Sequence, residues 1–316
     1  MEGLVYNLPD GTSIQTLLLL TECCYSRQID YPDISFSSFL ENRGNGDTPI
    51  NRLCAAYELS LKIKNMRDAL EEAYTLALHD PDTQDQKRIR TTPFFMAETV
   101  LNYRRYNPTA PGHITPALND LFNYMAQDSS DPLIKAALVH YQFEMIHPFD
   151  SYNGIMGRLL ICKALLHGGL PVAHLLALSE VLFESTSTYF DLLATTQRSG
   201  GYLQWIKFFI SAIRTAALRR VAQIKQHQRI VAQDEARILN HPAASKSTLK
   251  VLEHWKRHLV STIGQGCEDS GLAFNTVERG VQALQDLGIL KQMAPAQRGR
   301  KFVYSALADI FLEPQR

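Results

Sequence analysis

The side chains best equipped for chemistry lie in one short run, His147-Pro148-Phe149-Asp150-Ser151-Tyr152-Asn153-Gly154-Ile155-Met156-Gly157-Arg158. A histidine with its ordinary pKa of about 6.5 accepts a proton at neutral pH, so His147 is the candidate general base. Apolar, helix-forming runs flank the segment, Pro132 to Ile146 before it and Leu159 to Leu166 after it. Asn153-Gly154 then reads as a turn opening the second helix, with Asn153 as N-cap and Gly154 letting an anion approach the backbone. Free N–H groups at such a helix start attract phosphate. Arg158, four residues after Gly154, reaches back from the next turn toward the same place. A base beside a phosphate cradle is the minimum equipment for moving a nucleotidyl or phosphoryl group onto a hydroxyl.

The elements that must position these groups are mostly helical. Apolar residues recur with helical period over 51–79, 115–127, 132–146, 154–168, 175–197 and 202–238. Gly168-Gly169, Ser199-Gly200-Gly201 and Asn240-His241-Pro242 separate them, and Asp128-Ser129-Ser130-Asp131-Pro132 is a helix start with proline in the first turn. Strand-like alternation is confined to 93–104 and 299–305. The chain has 316 residues, 45% of them hydrophobic, with 32 basic and 32 acidic side chains. That balance gives no general attraction to nucleic acid or anionic membrane. No apolar run reaches the ~20 residues of a membrane span. The N-terminus lacks the basic-then-apolar pattern of a secretion signal. The cysteines, Cys23, Cys24, Cys54, Cys162 and Cys267, are odd in number and form no C-x-x-C pair, which points to reduced thiols in the cytoplasm.

The run at 147–158 resembles the signature of the Fic family, His-x-Phe-x-Asp/Glu-Gly-Asn-Gly-Arg-x-x-Arg. His147, Phe149, Asn153, Gly154 and Arg158 match it, while Ser151, Tyr152 and Ile155 replace the carboxylate, the first glycine and the first arginine. The resemblance implies a protein adenylyltransferase: His147 takes a proton from a target Ser, Thr or Tyr, whose oxygen attacks the α-phosphorus of ATP. It makes Phe149 a core anchor and places Asn153, Gly154, Arg158 and Tyr152 on the nucleotide. It further implies Mg²⁺, normally held by the carboxylate. Ser151 is a poor ligand for so hard a cation, and the neighbouring Asp150 is the other candidate. Ser37-x-x-x-Glu41-Asn42 resembles the family's inhibitory pattern, Ser/Thr-x-x-x-Glu-Gly/Asn, and so implies that Glu41 pairs with Arg158 and restrains the enzyme. A β-hairpin flap is expected within about 89–106, holding the target by strand addition. The three departures also admit a catalytically inactive scaffold.

The expected fold is mainly α, a Fic-type helical bundle with a small flap and a C-terminal winged helix-turn-helix domain. Its parts are 1–110 (helical, with inhibitory motif and flap), 111–240 (Fic core) and 245–316. In the tail, Asn275 is read as capping a helix to Leu287, and 289–292 and 301–304 as two strands around Arg298-Gly299-Arg300. The tail carries ten basic and seven acidic side chains, net +3. DNA is one partner for such a domain. Glu278, Gln282, Gln285 and Asp286 on the would-be reading helix favour a protein-binding or homodimerising role instead. His140, Glu144 and His147 share a helix face, but a di-metal site needs a second Glu-x-x-His, which the chain lacks. His140 is therefore read as a core histidine and Glu144 as support for the loop. His254 and His258 stand four apart without an obvious third ligand. Tyr202, Trp205, Phe208 and Phe209 have core spacing, and residues 1–30 carry no assigned role.

Overall fold

The computed structural model describes residues 3, 11–32, 48–78, 89–94, 106–127, 130–242, 245–293 and 299–312. The described elements are α1 (Gly11–Asp30), α2 (Pro49–Lys62), α3 (Met66–Leu78), α4 (Pro111–Gln127), α5 (Pro132–Ile146), α6 (Asn153–His167), a 3₁₀ turn (Ala173–Leu175), α7 (Leu178–Glu184), α8 (Thr186–Ser199) and α9 (Tyr202–Leu239). The tail adds α10 (Lys246–His258), β1 (Val260–Thr262), α11 (Ile263–Ser270), α12 (Phe274–Asp286), β2 (Leu290–Gln292), β3 (Lys301–Tyr304) and α13 (Ser305–Leu312). Among these residues no helix is long and apolar enough to cross a membrane. All five cysteines are free thiols.

The chain divides into two compact units. One consists of Glu22–Ile34 and Asp47–Ala217. Its centre is the hairpin of α5 and α6, whose residues are apolar on nearly every face and buried on nearly every face, as such helices must be. The Asp131 side chain caps α5 by accepting from the N–H groups of Leu133 and Ile134, and Pro132 fills the first turn where no donor is needed. Helices α2 and α3 form a second hairpin, separated at Ile63, which leaves the helical region. Lys163 on α6 donates to the carbonyls of Ser60 and Ile63 at 2.7 and 2.6 Å, tying the end of α2 to the central hairpin. Glu22, buried near the middle of α1, accepts from the backbone N–H and hydroxyl of Ser179 at 2.9 and 2.6 Å and fixes α1 to the start of α7. Trp205 and Phe209 are core residues, and Trp205 donates to the Ala137 carbonyl; Tyr202 instead borders a cavity of about 560 Å³ with Tyr124 and Tyr141.

The other unit is Met1–Thr21, Ser35–Gly46 and Leu218–Arg316. In its tail the elements run helix, strand, helix, helix, strand, strand, helix, and the three strands form an antiparallel sheet of order β1-β3-β2. The short β1 is the element that alternation did not reveal, since three residues are too few to display a period. Helix α12 begins at Phe274 behind the extended Ala273, so Asn275 lies inside the helix rather than capping it.

Candidate active site

His147 is the C-cap of α5, in the left-handed region at φ 48°, and its N–H donates to the Phe143 carbonyl. This conformation turns the chain out of the helix and into the loop. Pro148 and Phe149 follow, and Phe149 is buried with its ring stacked on Tyr74 at 3.9 Å, the anchoring role expected of it. Asn153 does not cap α6. Its amide donates to the Phe149 carbonyl at 2.7 Å and its side-chain oxygen accepts from the Phe149 N–H at 2.8 Å, so it staples the loop shut from inside the first turn. The N-cap is Tyr152, at φ 60° and without a side-chain cap bond. A residue in that conformation costs about 1–2 kcal/mol unless it is glycine, which explains why a glycine suits this position. The Tyr152 hydroxyl accepts from Arg27 at 3.3 Å and its ring leans on Tyr31.

Arg158 is buried and is held from α1. Its Nε donates to the Ser26 hydroxyl at 2.9 Å, and its Nη2 donates to the Ser26 carbonyl at 2.6 Å and to the Asp30 carboxylate at 2.8 Å. The carboxylate paired with Arg158 among the described residues is thus Asp30; Ser37 and Glu41 lie outside them. Asp30 also lies against the first turn of α6. A Cβ added to Gly154 would stand 2.7 Å from both of its carboxylate oxygens and 2.9 Å from Arg158 Nη1. That Nη1 is buried with no hydrogen-bond partner among the described residues. A side-chain-free cradle, a helix N-terminus and an unsatisfied guanidinium nitrogen fit an anionic group such as phosphate, and Asp30 presents its carboxylate there.

The imidazole of His147 is mostly covered, with Phe94 at 4.5 Å and Tyr106 at 6.4 Å between ring centres. Burial, with the nearby Arg90 cation, pushes its pKa down to about 4, so it is neutral at pH 7. Among the described residues its Nδ1 has no hydrogen-bond partner, and it sits 4.0 Å from Glu144 Oε2. Glu144 supports the loop as expected, accepting from the Tyr106 hydroxyl at 3.0 Å. Burial raises its pKa to about 7 against the opposing pull of Arg158. His140 is a core histidine bonded to the Tyr189 hydroxyl at 2.9 Å, and burial drives its pKa down to about 3.

Sequence patterns missed Arg90. This buried side chain donates to the carbonyls of His147 at 2.6 Å, Ile146 at 3.2 Å, Thr92 at 3.0 Å and Thr109. It therefore satisfies the free carbonyls at the end of α5, where a cation is favoured. Its backbone N–H donates to Pro148, and Ile89 pairs with Phe149 in an isolated antiparallel bridge. Residues 95–105, most of the expected flap, lie outside the described part.

The motif's departures have physical consequences. Ile155 is buried, so that position offers the site no cation. Asp150 is exposed, and the Ser151 hydroxyl is hydrogen-bonded with the Tyr74 phenol. Mg²⁺ takes oxygen ligands and keeps several waters, so of these two residues Asp150 offers the charged ligand.

Parts of this chain resemble known proteins. The Fic/DOC family model matches residues 60–165. Protein adenylyltransferase fic-1 of Caenorhabditis elegans is 29% identical over 107 residues, 33% of this chain and 20% of that protein. The chain thus spans about a fifth of the length of this curated relative. A Fic family protein from Desulfovibrio desulfuricans G20 superposes with a TM-score of 0.58 at 15% identity, covering 94% of this chain and 88% of the other. A Fic domain containing signaling protein from Bacteroides thetaiotaomicron superposes at 0.51 and 14% identity, covering 71% and 94%. These likenesses show the helical fold expected from the sequence.

Proposed function

We propose that this chain, a member of the Fic/DOC family through its domain at residues 60–165, transfers AMP from ATP to a protein hydroxyl and is held inactive by Asp30. The observation that carries the reading is the Asp30–Arg158 pair at 2.8 Å against Gly154, because a carboxylate and a phosphate compete for the same donors. Once Asp30 withdraws, Arg158 and the N-terminus of α6 bind the phosphates and orient the α-phosphorus. His147, neutral at pH 7, accepts the proton of the incoming hydroxyl. The new bond joins that oxygen to phosphorus, and the bond to pyrophosphate breaks. No step is assigned to Mg²⁺; were it bound, Asp150 would be its charged protein ligand and it would neutralise charge on the phosphates.

The antiparallel pairing of Ile89 with Phe149 supports delivery of the target by a flap beginning here, as a strand laid along the loop. The tail is read as a winged helix that binds protein. Arg300, a would-be phosphate contact, is paired with Glu278 on α12 at 2.7 Å, which cancels charge where DNA would need it. The free thiols are in keeping with a cytoplasmic protein.

A second reading, a non-catalytic scaffold, is favoured by the buried Ile155 and by Ser151. ATP labelled at the α- or the γ-phosphate separates the two. Label from the α-position, and not the γ-position, should enter protein incubated with the Asp30→Ala variant and should be lost with Asp30→Ala/His147→Ala. An Asp30→Ala variant that is folded and binds no nucleotide is a scaffold.

A further inference from the structure

In the unit containing the tail, α10 ends on His254 and His258, one turn apart on the same face. Asp269 of α11 meets them, its Oδ2 lying 2.9 Å from His254 Nδ1 and 3.9 Å from His258 Nε2. The two imidazole rings are 4.5 Å apart, and one ligand atom from each residue falls within 4.8 Å of the others. Sequence spacing offered the two histidines; folding α11 back on α10 supplies the third group.

The hydrogen bonds around His254 set its electronics. Ser261 Oγ donates to Gln265 Oε1 at 3.0 Å, an oxygen that also accepts from the Thr262 N–H. With its proton on Gln265, Ser261 Oγ is open to accept from His254 Nε2, 2.7 Å away. In the neutral ring with Nε2 protonated, Nδ1 turns its lone pair to the Asp269 carboxylate 2.9 Å away; in the imidazolium it donates a proton there. Two acceptors at that distance repel unless a positive charge stands between them, and His258 brings a second nitrogen to the same point. An imidazole whose far nitrogen is fixed by an oxygen of the protein is also the arrangement that metal-ligating histidines adopt.

We infer that His254, His258 and Asp269 bind a late first-row divalent cation, Zn²⁺ foremost. Two imidazoles and one carboxylate suit Zn²⁺ rather than Mg²⁺ or Ca²⁺, which take oxygen. Zinc bonds of about 2.0–2.2 Å in a tetrahedron set donors roughly 3.3 Å apart. The observed 2.9 and 3.9 Å straddle that value. His254 is buried while the His258 and Asp269 side chains are 34% and 37% exposed, so the outer pair faces solvent, from which water would complete the shell. The ion ties α10 to α11.

The test uses the full untagged chain, stripped with chelator and titrated with Zn²⁺ alone, then with Co²⁺ as a spectroscopic probe. One equivalent of Zn²⁺ should bind and raise the melting temperature, Co²⁺ should give visible bands of a four- or five-coordinate site, and Mg²⁺ should do neither. His258→Ala and Asp269→Asn, both at partly exposed positions, should each weaken Zn²⁺ binding at least about tenfold, and Ser261→Ala about tenfold through the second hydrogen bond. Cys267→Ser should bind as the wild type. Absence of Zn²⁺ binding, unchanged affinity in both ligand variants, or loss of binding in Cys267→Ser alone would overturn the assignment, leaving an imidazolium–carboxylate pair or a thiol site.

Discussion

Replacing Asp30 with alanine should open the phosphate site, and the size of the effect follows from the contact it removes. Asp30 makes one charge-assisted hydrogen bond of 2.8 Å to Arg158, with the guanidinium 1% exposed and the carboxylate 20% exposed. Such a bond contributes about 1.5–3 kcal/mol. A ligand that must displace it binds more weakly by that amount, because only the fraction of molecules with Asp30 withdrawn is competent. Asp30→Ala should therefore tighten ATP binding by about 10- to 150-fold. The Ser26 hydroxyl and carbonyl still hold Nε and Nη2, so Arg158 keeps its direction. Stability should fall, by less than the roughly 3–5 kcal/mol typical of a fully buried pair, since water reaches the Asp30 side. Asp30→Asn, which keeps shape and an acceptor but not the charge, should be intermediate in both respects. Isothermal titration with ATP, alongside urea unfolding, reads both quantities. Equal ATP affinity in wild type, Asp30→Asn and Asp30→Ala, all folded, would refute the idea that this carboxylate guards the site.

Four other outcomes follow. Gly154→Ala should destabilise the wild type by about 1–3 kcal/mol by pushing its Cβ into Asp30, and should cost less in an Asp30→Ala background, a coupling that a double-mutant cycle measures. Arg90→Gln should lower stability by about 3 kcal/mol or more, since several buried carbonyls lose a charged donor, as denaturant unfolding will report. Burial holds the His147 and His140 pKa values well below their ordinary one, so the stability they give is present above pH 6.5 and is lost as pH falls toward about 4 and 3, measurable as a falling urea midpoint. Glu144 has the opposite sign. With its pKa raised to about 7, its contribution is full below 4.5 and is lost as pH rises to 7, so Glu144→Gln should gain about 2–3 kcal/mol on the wild type between pH 5 and pH 8.

Most helices were legible because burial imposes a period on their sequences. The α5–α6 hairpin was legible for the opposite reason, being apolar on all faces and bounded by Asp131-Pro132 and the Asn-Gly turn. What escaped was positional. Asp30 was not read as a partner of Arg158, because the four-residue spacing of Ser26-x-x-x-Asp30 does not by itself say that a helix delivers it there; Ser37 and Glu41 lie outside the described residues. Asp30 also closes an apolar run, 11–30, that showed no chemistry of its own. Arg90 is a lone cation in an irregular, proline-punctuated stretch, and nothing local announces that it caps a helix 57 residues away. Asn153 was placed correctly but given the wrong partner, because the strained Tyr152 took the cap position and freed the amide to staple the loop. Asp269 joins His254 only because α11 folds back on α10 after β1, a tertiary fact without sequence period.

The central claim is that one carboxylate restrains one histidine-dependent AMP transfer. Intact-mass spectrometry of the purified chain after incubation with ATP and candidate target proteins tests it most directly. An AMP adduct, on the chain itself or on a target, should form with Asp30→Ala, be scarce with wild type and be missing with Asp30→Ala/His147→Ala. An adduct that persists without His147, or that forms equally with and without Asp30, would contradict it.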